Sequence, residues 1–566
     1  MTVDTNFMAC ILWMNVPSGP SCTVLWREEA PLVFPWKKRF AQQYELLFGS
    51  RLVPCYRGRP ETIDDMFRAA VTRASSAEAV VDGDRRVSYR ELESLVAKAA
   101  AGLVERGVAK GDRIAILLGN RTEFIVALLA IGRVGAVSVP IGTREAAPNI
   151  AFIIGNCQAR GVIFEADLAD RIPERNQNGS LQLFIATGTD IADVESFDDL
   201  CAGDRRLDEV ASPTSEEDAA VILYTSGTTG QPKGAILSHV NIIHSSMHFQ
   251  ECWEFEDGER SILAVPASHV TGLVAIITSM INVAGCIVMM RSFDVQGYLS
   301  LAARERMTTT VLVPAMYNLI LLRGNFLGLD LSAWRIGGFG GAPMPEASIE
   351  AMAERLPALH LLNAYGSTEC ATIISVVPIG HTRKCLDSVG AGVPCGDLRI
   401  VGDDGKEAAP GETGEVWVRG PMTINGYWER EEATRTSFVD GYWRSGDIGS
   451  IDVEGFLRLF DRKNDVINRG GYKIYSVEVE NVLARHPGIV EAAAVSHPDK
   501  VLGEKLHVFV QRDAQDIDEE GIRNYCRTML ADYKVPDFVT FLSDGLPRNP
   551  NGKVLKRALR DRIPPL

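Results

Sequence analysis

Three glycines, four Ser and Thr hydroxyls and one lysine fall within the eleven residues Tyr224-Thr225-Ser226-Gly227-Thr228-Thr229-Gly230-Gln231-Pro232-Lys233-Gly234. Glycines let backbone N–H groups approach a ligand closely, hydroxyls add donors and a lysine adds charge, which is the chemistry of an anion cradle. The apolar run 219–223 leads into the tract and reads as a buried strand that delivers the loop to a sheet edge. A nucleotide triphosphate is the anion this favours. The tract is not a P-loop: Pro232 precedes Lys233 and Gly234 follows it, so the helix-opening hydroxyl of that motif has no counterpart. A surface loop of small residues is the plain alternative.

Further clusters follow: Gly340-Gly341-Ala342-Pro343, Asn363-Ala364-Tyr365-Gly366-Ser367-Thr368-Glu369, Tyr442-Trp443-Arg444-Ser445-Gly446-Asp447, Asp461-Arg462-Lys463-Asn464-Asp465, Arg469-Gly470-Gly471-Tyr472-Lys473, and Pro547 through Gly552-Lys553. In this order the set resembles the adenylate-forming superfamily, which contains acyl- and aryl-CoA synthetases, luciferases and peptide-synthetase adenylation domains. The resemblance runs from about residue 61 to the C-terminus. It implies an α/β fold, with a large N-terminal domain of two parallel-sheet α/β subdomains plus a small β-barrel subdomain, followed by a small mobile α+β C-terminal domain. The expected division is 1–60 as an extension of unclear role, 61–461 as the adenylation domain and 462–566 as the mobile lid. The hinge is placed at Asn464, where most relatives carry Asp or Lys.

The chemistry implied is carboxylate activation. A carboxylate is a poor acyl donor because its leaving group would be oxide, so it attacks the α-phosphate of ATP and expels pyrophosphate. An acyl-adenylate results, which a thiol then cleaves. Charge crowds at the first step, so fixed cations and donors are required there. The resemblance gives that task to Lys553, whose point charge on a flexible stem suits it; alone, Lys553 reads as one more cation of a basic tail. Glu369 matches the magnesium-binding glutamate, with Thr225 near the same ion, and Thr368 matches an α-phosphate contact. Tyr365 would lie along the adenine, while Asp447 and Arg462 would hold the ribose hydroxyls. Thr225, Ser226, Gly227, Thr228, Thr229, Gly230 and Lys233 would wrap the phosphates. Gly340, Gly341, Ala342, Pro343, Asn363, Ala364 and Gly366 would border the adenine and the acid. His269 and Val270 would gate the acid pocket, and Gly470, Gly471 and Tyr472 would line the CoA tunnel. ATP, Mg2+ and CoA are the implied cofactors.

These groups need a scaffold. Ser88-Tyr89-Arg90-Glu91 is a capping box, followed by the apolar stripe Leu92, Leu95, Val96, Ala99 and Leu103, with Gly107 as the helix end. Residues 113–118, 124–134 and 137–140 read as strand, helix and strand of a parallel sheet, an alternation that recurs to about residue 377. Beyond it, Gly405 and Gly411 flank the alternating run 415–419, the pattern of antiparallel strands.

At 566 residues with 46% hydrophobic content, at least two domains are expected. A net charge of -15 argues against nucleic-acid binding. Eleven scattered cysteines without a Cys-x-x-Cys pair suit a reduced cytosol. Residues 7–16 follow Asp4 and are too short to span a bilayer, so no transmembrane segment and a soluble, cytoplasmic protein are expected. A homodimer is left open.

Residues 262–285 contain no Asp, Glu, Lys or Arg. The resemblance places the acid pocket there, and relatives that take α-amino acids or diacids carry a charged partner in it, so an apolar monocarboxylic acid, fatty or aryl, is what the resemblance implies. Ala264, Ala267, Gly272 and Ala275 suggest a roomy pocket. The alternatives are a stand-alone enzyme loading a separate carrier protein and a luciferase-like oxygenase. A carrier domain in the same chain is not expected, because thirteen residues follow Lys553.

Overall fold

The computed structural model describes residues 34–564 except 38, 175–178, 189–190, 192–193, 209–213, 226–231, 514–516 and 549–553. The capping box forms: the Ser88 N–H donates to Glu91 Oε2 at 2.8 Å, and the Glu91 N–H returns to Ser88 Oγ at 3.3 Å. It opens the helix Tyr89–Glu105, whose Leu92, Val96, Ala99 and Leu103 are buried. Gly107 ends the turn at φ +76°, a conformation that side chains resist.

The strand Arg113–Leu117, the helix Thr122–Val134 and the strand Val137–Pro140 form the expected parallel unit, with Ile114 in register with Ser138. That helix is apolar nearly all round because it touches strands of two different sheets. The first sheet has seven strands in the order Lys233–Ser238, Ala219–Thr225, Val137–Pro140, Arg113–Leu117, Gly161–Glu165, Leu183–Thr187 and Glu195–Ser196. It is parallel except at its first pair, where Thr225 lies opposite Lys233 in an antiparallel hairpin. The strands that carry the two ends of the glycine-rich tract therefore pair with each other, whereas a P-loop runs from a strand into a helix.

The second sheet has nine strands, the inner six of which are parallel, from His360–Ser367 to Glu78–Asp82. Antiparallel strands close both of its edges. One continuous core fills the space between the two sheets.

Five antiparallel strands follow, with Tyr442–Ile451 paired to Gly414–Arg419 on one side and to Leu457–Arg462 on the other. Gly405 and Gly411 turn at φ +74° and +84°. The pairings run as an open path through these strands. After Arg462 the chain changes sheets: Ile467–Arg469 belongs to a separate five-stranded sheet that, with the helices Ser476–Leu483 and Glu519–Met529, encloses its own core of Ile474, Leu483, Val508 and Ile522. Asn464 lies exposed in this crossing.

The described part of the N-terminal segment packs on the body. Gln42–Leu47 and Arg51–Tyr56 form a hairpin, Trp36 donates its indole N–H to the Gly392 carbonyl at 2.7 Å, and Arg59 pairs with Glu45 and Glu216 at 2.7 and 2.8 Å. No helix among the described residues is long and apolar enough to cross a membrane.

Candidate active site

The second sheet and the antiparallel unit meet at one carboxylate. Tyr365, near the end of the strand His360–Ser367, donates its phenol to Asp447 Oδ2 at 2.5 Å, and the Arg462 guanidinium reaches Oδ1 at 2.7 Å. Strand pairing explains the second contact, since Asp447 and Arg462 are opposite residues of neighbouring strands. Ser445 Oγ accepts from the Asp447 N–H at 2.9 Å and holds the turn. Burial, then the Asp447 charge, pushes the Tyr365 phenol well above its ordinary range, so it stays a donor. A carboxylate offers about four lone-pair sites. Two remain for hydroxyls of a ligand.

A second constellation lies on the next turn. Thr368 and Glu369 sit on the short helix Thr368–Cys370, and Tyr427 donates its phenol to Glu369 Oε1 at 2.9 Å. Lys233 Nζ stands 5.2 Å from the centre of the Tyr427 ring, which ties the glycine-rich hairpin to the same place. The backbone is strained here: Ala371 and Thr372 adopt φ +46° and +117°, conformations that non-glycine residues seldom hold. Ser367 Oγ and Thr372 Oγ1 are buried without a hydrogen-bond partner among the described residues.

These groups fit magnesium. The ion prefers hard oxygen donors and keeps several waters, so one carboxylate plus phosphate oxygens suffices. Glu369 Oε2, which has no described partner, and the hydroxyls of Ser367, Thr368 and Thr372 are such donors. Burial holds the neighbouring Cys370 thiol well above its ordinary range, so no thiolate competes.

Three glycines stand here for two reasons. A Cβ on Gly366 would stand 1.5 Å from the Thr372 carbonyl oxygen, and one on Gly340 would stand 2.4 Å from that of Ala364. Both are thus required by neighbouring backbone, independently of any ligand. Gly341 has open space but φ +79°, and it begins the exposed turn with Ala342 and Pro343. Asn363 and Ala364 lie on the same strand as Tyr365, and the Val377 N–H donates to the Asn363 carbonyl at 2.9 Å.

In the segment expected to border the acid, His269 is exposed, with Nδ1 3.2 Å from Thr271 Oγ1, while Val270 is buried. They lead into Thr271–Thr278, a π-helix, which is a rare form. Ala267 and Ala275 are 2% and 3% exposed, and a Cβ on Gly272 would meet the Pro266 carbonyl oxygen at 2.2 Å. The small residues taken as signs of a roomy pocket serve close packing instead; Ala264 is only half-buried. Asn120 clasps this segment, its Nδ2 lying 2.9–3.0 Å from the carbonyls of Leu263, Val265 and Met290 and its Oδ1 accepting from the Ala267 N–H at 2.9 Å.

Gly470, Gly471 and Tyr472 form a hairpin tip of the C-terminal domain, with the Tyr472 ring 60% exposed and 4.7 Å from that of Tyr533. No described contact joins this tip to Tyr365, Glu369 or Asp447. Ser226, Gly227, Thr228, Thr229, Gly230 and Lys553 lie outside the described residues. Tyr427, Asn120 and Arg51 escaped the sequence reading. For Tyr427 there was a signal: Gly426-Tyr427-Trp428 sets two aromatics beside a glycine in a polar stretch.

Comparison with known proteins shows the family. The AMP-binding enzyme family model matches residues 67–428 and the AMP-binding enzyme C-terminal domain matches residues 478–553. The long-chain-fatty-acid–CoA ligase FadD13 of Mycobacterium tuberculosis is 34% identical over 495 residues, covering 88% of this chain and 97% of that protein. The feruloyl-CoA synthase of an Amycolatopsis species is 34% identical over 488 residues, covering 86% and 96%. Among solved structures, the o-succinylbenzoate CoA synthetase of Bacillus subtilis with its acyl-adenylate has a TM-score of 0.78 at 28% identity, over 88% of this chain and 99% of that one. The same enzyme with ATP and magnesium has a TM-score of 0.77 at 27% identity, over 88% and 98%. The chain belongs to the AMP-binding enzyme family, in the branch of AMP-forming acyl- and aryl-CoA ligases.

Proposed function

We propose that the protein activates an apolar monocarboxylic acid, fatty or aryl, with Mg-ATP and transfers the acyl group to CoA. The observation that carries this reading is the bridge Tyr365–Asp447–Arg462, a buried carboxylate fixed by two donors with lone pairs to spare, beside Glu369 and Lys233. The ribose hydroxyls donate to Asp447, and the Tyr365 ring lies along the base. Lys233 and the hairpin loop neutralise phosphate oxygens. Bound magnesium would neutralise further phosphate charge, held through Glu369 with Thr225 and Thr368 nearby. One carboxylate oxygen of the acid bonds to the α-phosphorus, the bond to the β-phosphate oxygen breaks, and pyrophosphate leaves. Lys553 offsets the charge that accumulates on that path. In the second step the CoA thiolate bonds to the acyl carbon and AMP departs with its electron pair. Serving both steps requires the C-terminal domain to present first Lys553 and then the tip Gly470-Gly471-Tyr472, which implies rotation about Asn464. The cytoplasm, where ATP and CoA are at hand, is the compartment that suits this chemistry.

The acid pocket supports the substrate class. His269, Val270 and the π-helix offer no cation for a second carboxylate and no anion for an ammonium group. A panel of fatty, aryl, dicarboxylic and amino acids, assayed for ATP-dependent pyrophosphate release with and without CoA, tests the proposal. Fatty or aryl acids should release pyrophosphate and form thioesters. Turnover confined to diacids or amino acids would overturn it, and release without a thioester would point to a carrier-protein acceptor.

A further inference from the structure

The described hairpin Gln42–Leu47/Arg51–Tyr56 precedes the family match at residue 67, yet one of its side chains reaches the back of the magnesium-side turn. Arg51 is 5% exposed. Its two terminal nitrogens donate to successive carbonyls, those of Thr423 at 2.5 Å and Ile424 at 3.1 Å. The Ile424 N–H in turn donates to the Glu369 carbonyl at 2.9 Å, and three residues later Tyr427 donates to the Glu369 carboxylate. Glu369 is therefore held at its backbone and its side chain by a single segment. That segment is pinned from beneath by Arg51.

The arrangement is asymmetric. Burying a guanidinium is costly, and among the described residues no carboxylate lies within 4 Å of it; two backbone carbonyls and the face of the Phe48 ring, its centre 5.3 Å away, receive it instead. Two features keep the hairpin in place: the Phe48 N–H donates to Glu217 at 2.7 Å, and Arg59 joins Glu45 of the hairpin to Glu216 of the body. An arginine fork matches two adjacent carbonyls where a point charge cannot.

We propose that Arg51 is a positioning residue for Glu369, so that the N-terminal hairpin sets the geometry of the magnesium-side turn. This rests on reading Glu369 as the magnesium-side carboxylate. The test has two arms. First, hydrogen exchange of the full-length protein without nucleotide should show faster exchange in segments 368–372 and 421–428 of Arg51→Met, with the C-terminal domain unchanged. Second, the Mg2+ concentration giving half-maximal pyrophosphate release should rise about tenfold, the range typical when a residue supporting a metal ligand is lost, while KM for CoA stays put. Arg51→Lys, which keeps the charge without the fork, should lie between the two and serves where Arg51→Met does not fold. Wild-type exchange in both segments would overturn the proposal whatever the activity. Faster exchange in Arg51→Met, together with a wild-type protein that activates no acid, would leave the positioning intact and remove the proposed function.

Discussion

The Tyr365 phenol and the Asp447 carboxylate, 82 residues apart in sequence, meet at 2.5 Å and join the nine-stranded sheet to the antiparallel unit. The same carboxylate carries Arg462, so its geometry is set before any ligand arrives. Asp447→Asn keeps the shape and removes the charge. It should raise KM for ATP by about 10- to 100-fold, the worth of hydrogen bonds to a charged acceptor. Folding stability should fall by less than about 1 kcal/mol, because the Arg462 partner is half exposed and screened by solvent. Nucleotide titration beside chemical denaturation checks both halves.

Lys553 is proposed for the first half-reaction alone. Lys553→Ala should slow adenylation by about 10²- to 10³-fold and leave thioester formation from a supplied acyl-adenylate near the wild-type rate. Single-turnover measurements of the two steps separate them. Equal losses would show that the lysine serves something common to both.

Two buried histidines make stability depend on pH. Burial holds His244 down at about 3 and His239 at about 4. Neutral His244 is fully bonded, with Nδ1 2.9 Å from the Val240 carbonyl and Nε2 accepting from the Tyr56 N–H at 3.2 Å. Unfolded, both histidines titrate near 6.5. The unfolded chain therefore binds more protons between pH 6.5 and about 4, so their contribution is complete above 6.5 and is lost as pH falls through that window. Each adds a slope of about 1.4 kcal/mol per pH unit. Denaturation at stepped pH should show this, and His244→Gln should lower the slope by about 1.4 kcal/mol per pH unit, leaving the share of His239 and of the likewise depressed His248 and His507.

Asn120 presents its amide to three carbonyls, an arrangement only a donor tolerates. Asn120→Asp is nearly isosteric but sets a carboxylate against them. It should cost about 3 kcal/mol of stability or force protonation of the new acid. A denaturant midpoint unchanged at neutral pH would contradict the clasp.

Much of the scaffold was legible because its determinants are local. The capping box at Ser88, the strand, helix and strand of 113–140, and the glycine turns at 405 and 411 depend on residues within a turn or two of one another. The motifs expected to face the ligand were recognisable for the same reason, as Thr368 and Glu369 or Ser445 and Asp447 lie within a few residues of each other. Asn120 and Arg51 were not, because what each binds lies 143 to 373 residues away. A second demand on two glycines was not legible: Gly340 and Gly366, expected to border the ligand, each also face a carbonyl of a neighbouring strand.

From residue order alone came the family, the alternation of strands and helices, and the inventory of groups able to handle a phosphate, because those properties follow from side-chain chemistry and short periodicities. Sheet order and strand register decided the rest: that Asp447 faces Arg462, that Tyr427 caps Glu369, and that an N-terminal arginine supports the turn from behind. Such pairings depend on which distant backbones are brought side by side, and only the folded chain determines that.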